Sequence, residues 1–151
     1  MKKLSRVEAV RPIANTDVAT AELFLHDQGL PDLDRWPEEF AEWANRSYDF
    51  RGVEMEVAGT LREKAGELEL VGPAFPDGVR LLQLAQGMKV QWDYAARRPQ
   101  EATSGELQAY DNLRQQLQSG RDPGKPVRAT GPLTKTAAGW ILHIRKSSDD
   151  S

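Results

Sequence analysis

The sequence predicts a mainly β (α+β) protein built on a small five- or six-stranded barrel, with one helix between the third and fourth strands and a helical N-terminal segment. Two segments, residues 57–70 and 129–144, share one plan: a glycine interrupts an alternating strand, and a turn leads into a second strand. A segment between them begins with helix-capping residues. Two hairpins that flank a further strand and a helix favour a closed or nearly closed barrel.

The first elements predicted are a weak strand and a helix. Residues 4–10 suit a strand, although their alternation is irregular, and Pro12 ends it. Thr16 or Asp17 is a suitable N-cap, and the apolar residues that follow share one helical face. We therefore expect a helix over residues 17–28.

A second short helix is predicted over residues 36–44. Trp36, Phe40 and Trp43 recur at helical spacing, and a proline occupies the first turn, where its missing N–H costs nothing. This aromatic stripe needs a surface to pack on. We expect residues 1–52 to form a helical extension packed against the barrel.

The first hairpin begins at residues 53–57, where apolar residues alternate with glutamates, the pattern of a strand with one buried face. Gly59 interrupts this strand, and an isolated glycine there commonly marks a bulge or a sharp bend of a barrel. A turn at residues 65–66 returns the chain, and Leu68 and Leu70 continue the alternation.

The segment after the first hairpin is predicted to be a loop followed by strands. Residues 72–78 contain two prolines and an Asp-Gly pair, which do not suit a central strand. Residues 79–82 predict an additional short strand, and the alternation over residues 88–92 predicts a clearer one. We take the second of these as the third barrel strand.

The helix between the hairpins carries a capping box. The Thr103 hydroxyl and the Glu106 carboxylate can each accept a hydrogen bond from the other residue's backbone N–H. An apolar stripe follows, and a glycine terminates the helix. After a turn, the second hairpin completes a barrel expected to span residues 53–146, and residues 147–151 are expected to be a disordered polar tail.

This order of elements, three strands, a helix and two strands with a glycine in the first, resembles the OB-fold, a five-stranded Greek-key barrel. The resemblance covers residues 53–146 and rests on fold order, without a motif of any particular family. It implies a ligand surface on the second and third strands and the adjoining loops, where OB-folds commonly bind oligonucleotides or oligosaccharides.

Composition excludes several classes of protein. The 151 residues are 39% apolar and 28% charged, which suits one globular domain with a buried core. Because the chain has no cysteine, it has no disulfide, thiolate metal site or cysteine nucleophile. Charged residues stand where a secretory signal would be apolar, and no apolar run approaches the roughly 20 residues that span a bilayer. We therefore expect a cytoplasmic protein without a membrane partner.

Basic residues are concentrated in the second half of the chain, although the net charge is −3. Residues 79–146 hold eleven Arg or Lys against five Asp or Glu. Cations beside aromatic rings suit single-stranded nucleic acid, whose phosphates need positive charge and whose bases stack on rings. The predicted ligand-binding residues are Arg62, Lys64, Tyr94, Arg97, Arg98, Arg128, Lys135 and Trp140.

Several residues that could carry binding or catalysis have simpler structural explanations. Trp92 shares the strand parity of apolar neighbours, so we expect it in the core, and Trp140 suits capping the barrel better than stacking on a base. His26 and His143 lack ligand spacing, and the acidic cluster around Trp36 fits a solvated helix face. We predict no metal, no cofactor and no enzyme activity.

The leading hypothesis is a non-enzymatic binding module that holds single-stranded DNA or RNA on a barrel face. The main alternative is a protein-interaction or self-assembly module, in which the barrel face or the aromatic stripe binds a partner or a second copy. Saccharide or small-ligand binding by the same face is a third hypothesis. A basic, aromatic-lined groove would favour the first hypothesis, and a mixed-charge surface would disfavour it.

Overall fold

The computed structural model describes residues 7–12, 21–25, 34–35, 37–38, 52–93, 95–122 and 124–149. Backbone contacts divide the chain into two units, Met1–Arg51 and Gly52–Ser151, which are described separately. Among the described residues, no helix is long and apolar enough to span a bilayer.

The first unit contains a two-stranded sheet, in which β1 (Val7–Pro12) pairs antiparallel with β2 (Ala21–Leu25). The strand predicted at residues 4–10 is confirmed over its described part. The helix predicted over residues 17–28 is wrong where the structure describes it. A short apolar pattern does not separate helix from strand, and β1 supplies the partner that makes β2 a strand.

The second predicted helix is described only near its start. Pro37 and Glu38 are helical, and the rest of residues 36–44 lies outside the described residues. Packing of residues 1–52 on the barrel stays a prediction.

The second unit contains a barrel of five strands. They are β3 (Glu54–Lys64), β4 (Glu67–Gly72), β5 (Phe75–Gln83), β8 (Val127–Thr136) and β9 (Gly139–Ile144). The order is β3-β4-β5-β9-β8, and β8 pairs with β3 to close the barrel. Neighbours are antiparallel, except that β5 and β9 run parallel. This closure confirms the mainly β fold class and the OB-like resemblance.

The remaining elements lie around this barrel. After β5, two short strands, β6 (Trp92–Asp93) and β7 (Arg98–Pro99), form a separate hairpin. The helix α1 (Ser104–Gln118) follows and buries Leu113, so the predicted helix between the third and fourth strands is confirmed. β10 (Lys146–Asp149) is a sixth strand beside β8, outside the closed barrel.

The barrel core consists of the apolar residues that alternate along the strands. Leu68 and Leu70 of the first hairpin and Leu142 and Ile144 of the second are fully buried. Burying each such side chain contributes about 1.5–3 kcal/mol relative to leaving it exposed. The two patterned hairpins therefore supply much of the hydrophobic stabilisation of this unit.

Two glycines lie where backbones approach closely. Residues 54–59 of β3 pair with β8, and residues 60–64 pair with β4, so β3 changes partners just after Gly59. A Cβ at Gly59 would collide with the carbonyl oxygen of Val71, and one at Gly131 would collide with that of His143. These approaches therefore require glycine.

The loop predicted over residues 72–78 is wrong, because only a two-residue turn separates β4 from β5. The β4–β5 ladder skips residues 76–78, which bulge. The bulge accommodates Pro76, which has no N–H to donate, and Gly78, whose φ is +96°. The prolines and the glycine thus mark an irregular part of a strand. They do not indicate that the strand is absent.

The third barrel strand is β5, and the strand predicted over residues 88–92 is wrong except at its last residue. The pattern at residues 79–82 belongs to β5. Five alternating residues do not distinguish a strand from an extended connection, and β5 already occupies the position between β4 and β9.

The capping box of α1 is confirmed. Thr103 Oγ1 accepts from the Glu106 N–H at 3.1 Å, and Glu106 Oε1 accepts from the Thr103 N–H at 2.9 Å. The helix ends before Gly120, whose φ is +98°.

The disordered tail predicted over residues 147–151 is wrong for residues 147–149, which belong to β10. Its last residue, Asp149, accepts a hydrogen bond from Arg121 at 2.6 Å and lies 3.0 Å from the Lys125 ammonium. Backbone pairing with β8 and these ion pairs hold a polar segment that has no apolar pattern to predict it.

Candidate binding surfaces of the barrel

The predicted ligand surface is formed by the outward side chains of β3, β4 and β5, which we call the β3–β5 face. Its outward residues are Thr60, Arg62, Lys64, Glu67, Glu69, Val71, Arg80 and Leu82. Glu69 lies opposite Arg62 on one side and Arg80 on the other. Arg62 donates to Glu69 through Nε at 3.0 Å, and Arg80 lies 2.7 Å from Glu67. The face therefore carries alternating and mutually paired charges.

Arg62 is bound on two sides. Besides its ion pair with Glu69, its Nη2 donates to the Asp77 carbonyl oxygen at 3.0 Å. A Cβ on Gly78 would lie 2.9 Å from the same nitrogen. Arg62 thus ties the bulge of β5 to β3, and this structural role occupies its Nε and Nη2 donors, which form one of the edges that could bind a phosphate.

The β3–β5 face has no aromatic platform. All residues of these three strands are described, and their one aromatic residue, Phe75, is buried. Lys64 is exposed opposite Glu67 and forms no ion pair with any described residue. One unpaired cation without a ring is a weak site for a single strand, since base stacking supplies much of such binding.

Lys135 and Trp140 lie together on the second hairpin. They are directly opposite each other in the β8–β9 register, and the Lys135 ammonium lies 5.1 Å from the centre of the Trp140 ring. Trp140 shares the parity of the buried Leu142 and is half-buried. The Lys135 ammonium therefore lies within reach of a cation–π interaction with Trp140.

The other predicted cations lie elsewhere. Arg128 pairs with Ala58 of β3 and Ser148 of β10, and its Nη1 donates to Glu56 at 2.6 Å. Arg97 is exposed in the turn between β6 and β7. Arg98 begins β7 and lies 3.3 Å from Glu101. The structure therefore does not place these residues on the β3–β5 face.

The two remaining aromatic predictions cannot be placed. Tyr94 and the side chain of Trp92 lie outside the part of the chain that the structure describes.

Charge in the second unit is balanced. Residues 52–151 contain thirteen Arg or Lys and thirteen Asp or Glu. The acidic first hairpin offsets half of the local excess over residues 79–146, and three aspartates, at positions 77, 149 and 150, offset the rest. The β3–β5 face is thus a mixed-charge surface, which disfavours recognition of phosphates.

A partly buried ionic cluster, missed by the sequence analysis, joins the helix to the barrel. Arg145 forms a bidentate pair with Glu54 and lies 3.6 Å from Glu106, which in turn lies 3.1 Å from Lys89. The Glu54 pair raises the pKa of Arg145. Burial opposes ionisation of Glu106, but the Thr103 N–H and Lys89 outweigh it and lower its pKa. Balanced charges with satisfied partners indicate a structural role.

His143 is a buried, hydrogen-bonded side chain. Its Nε2 lies 3.0 Å from Thr134 Oγ1, and its Nδ1 lies 3.4 Å from the Gln83 carbonyl oxygen. Burial lowers its pKa, so the imidazole is neutral near pH 7. The acidic and histidine side chains within the described ranges form no cluster of three that could hold a metal ion.

The edge of β10 is a second surface that the sequence analysis missed. Within the described part of the chain, β10 pairs with β8 alone, so its other edge has no ladder partner. All four of its side chains are exposed, although α1 also contacts this strand. No register shift interrupts its pairing with β8. β10 is therefore a regular strand whose second edge has no ladder partner among the described residues, and we call this edge the open edge of β10.

No known protein family matches the chain, and no curated protein matches it significantly.

Proposed function

We propose that the second unit is a non-enzymatic protein-interaction module that binds an extended segment on the open edge of β10. The observation that carries this proposal is the position of β10 outside the closed barrel, paired along one edge only among the described residues. The five barrel strands pair on both sides, whereas the edge of β10 presents backbone donors and acceptors that an added strand can use.

The strand is held in place before any partner arrives. Asp149 is anchored by Arg121 and Lys125, and the preceding Arg145 is anchored by Glu54. A preorganised edge loses little conformational entropy on binding, which favours strand addition. The small side chains of Ser147 and Ser148 leave room beside the backbone.

The charge distribution favours a protein partner over nucleic acid. Arg62, Arg80 and Arg128 are each paired with a glutamate, so phosphate contacts there would have to replace existing ion pairs. Single-stranded nucleic acid remains the competing hypothesis, supported by Lys64 and by the Lys135–Trp140 pair.

Strand addition is tested by selecting binders from a random peptide library against the full chain, then measuring them on Ser147→Pro and Ser148→Pro. Successive N–H groups of a strand point to opposite sides, so one proline blocks the open edge while the other disrupts the ladder to β8. We expect the edge-blocking variant to retain native hydrogen exchange in β8 and lose peptide binding. Failure to select any peptide, or binding that survives both substitutions, would contradict the proposal.

The competing hypothesis is tested with a fluorescent single-stranded oligonucleotide at about 50 mM salt, where phosphate contacts are strong. We expect no saturable binding. Binding that weakens steeply with salt and is lost in the double variant Lys64→Glu, Lys135→Glu would replace the protein-interaction proposal with the nucleic-acid one.

A further inference from the structure

We infer that the partner of β10 is the β10 strand of a second copy, paired antiparallel about a two-fold axis at Ser148. This inference rests on the proposed function and identifies the extended segment that binds β10 as the same strand of a second copy. The paired strands would join the two barrels in one continuous sheet through β8 and β3 of each copy. Such an isologous contact uses the same surface on both partners and therefore closes at a dimer.

Symmetry restricts the register. A two-fold axis between antiparallel strands keeps each side chain on its own side of the sheet, so directly opposed residues must have the same parity. An axis at Ser148 satisfies this rule and places Ser148 opposite itself. It also places Ser147 opposite Asp149 of the second copy.

The side chains on this edge complement one another in that register. The Ser147 hydroxyl can donate to the opposing Asp149 carboxylate, which already accepts from Arg121. The pairs that this register forms between described residues, Ser148 with Ser148 and Ser147 with Asp149, oppose no like charges, so they lack the repulsion that commonly protects strand edges.

The edge is short, so the dimer should be weak. Four residues in β10 contribute one short ladder, and an interface of this size belongs to the transient class. We expect association that becomes visible as the protein approaches about 1 mM, corresponding to about −4 kcal/mol.

A charge exchange at the axis tests the inference directly. Ser148→Lys and Ser148→Glu each place like charges opposite each other across the axis, so each variant alone should sediment as a monomer at concentrations where the natural chain dimerises. An equimolar mixture should restore the dimer by pairing lysine with glutamate. Ser148 lies opposite Arg128 within the chain, so the glutamate variant is expected to fold even if the lysine variant is destabilised.

Gln115→Lys, an exposed change on α1, is the matched control and should leave the dimer intact. A chain that stays monomeric at every concentration, or a dimer that neither variant weakens, would overturn the inference. Selected peptides that still bind β10 of a monomeric chain would leave the proposed function in place, which separates the two failures.

Discussion

Glu54 and Arg145 are 91 residues apart in the sequence, yet they form a bidentate ion pair whose side chains are only 16% and 20% exposed. The pair joins the start of β3 to the link between β9 and β10. Arg145 also reaches Glu106 at the start of α1. The same cluster therefore holds the barrel, the helix and the proposed binding strand in one arrangement.

Neutralising Glu54 should destabilise the protein more than neutralising its neighbour Glu56. In Glu54→Gln the partly buried Arg145 charge loses its bidentate partner and keeps only Glu106, so we expect a loss of about 1–3 kcal/mol in the free energy of unfolding. Glu56→Gln breaks an exposed pair with Arg128 and should cost less than about 1 kcal/mol. Urea denaturation of both variants measures the difference. Equal losses would show that the Glu54–Arg145 pair stabilises the protein no more than the exposed Glu56–Arg128 pair does.

Adding a methyl group at Gly131 should prevent normal barrel closure. A Cβ there overlaps the backbone carbonyl of His143, so we expect Gly131→Ala to lose more than about 3 kcal/mol or to fail to fold. Gly105→Ala is the control, because its nearest contact is 3.9 Å away in the first turn of α1. There alanine should be neutral or stabilising by up to about 1 kcal/mol. Thermal unfolding followed by circular dichroism distinguishes the two outcomes.

His143 should make the protein less stable in mild acid. Burial lowers its folded pKa below the ordinary value of 6.5, so the unfolded chain takes up the proton first as pH falls. The stabilisation is complete above the unfolded pKa and is lost progressively as pH falls toward and through the folded pKa.

The measurement is the free energy of unfolding at about pH 8 and about pH 5.5, a window in which most carboxylates stay ionised. We expect a smaller decrease in His143→Gln than in the natural chain, because the variant has no imidazole to titrate. An identical decrease in both proteins would assign the pH dependence to other groups.

Local patterns predicted the parts of the fold that local chemistry determines. The alternation around Leu68 identified the first hairpin, and the hydroxyl–carboxylate spacing of Thr103 and Glu106 identified the helix start. Each of these two patterns spans only a few residues, and the tertiary contacts favour the same local structure as the pattern does. This agreement explains why the barrel order could be predicted.

The errors arose where a distant partner decides the structure. β2 is a strand because β1 pairs with it, and β5 tolerates Pro76 because its ladder with β4 skips that position. The pairing of Arg62 was missed for the same reason, since the glutamate opposite it belongs to another strand. A count of cations along the chain does not reveal which carboxylate the fold places beside each one.

Asp149 should keep the proposed binding strand β10 ordered without changing the stability of the barrel. Its hydrogen bond with Arg121, followed by that with Lys125, lowers the pKa of Asp149 and secures the end of β10. In Asp149→Asn the charge is lost, so we expect faster hydrogen exchange at the amides of β10 and unchanged protection in β4.

Asp111→Asn, an exposed change on α1, is the matched control and should leave exchange in β10 unchanged. If strand addition uses a preorganised edge, peptide binding should weaken in Asp149→Asn in proportion to the protection lost, because the partner must then order the strand itself. Faster exchange without weaker binding would mean that the partner does not use β10. Unchanged exchange would mean that pairing with β8 alone holds the strand.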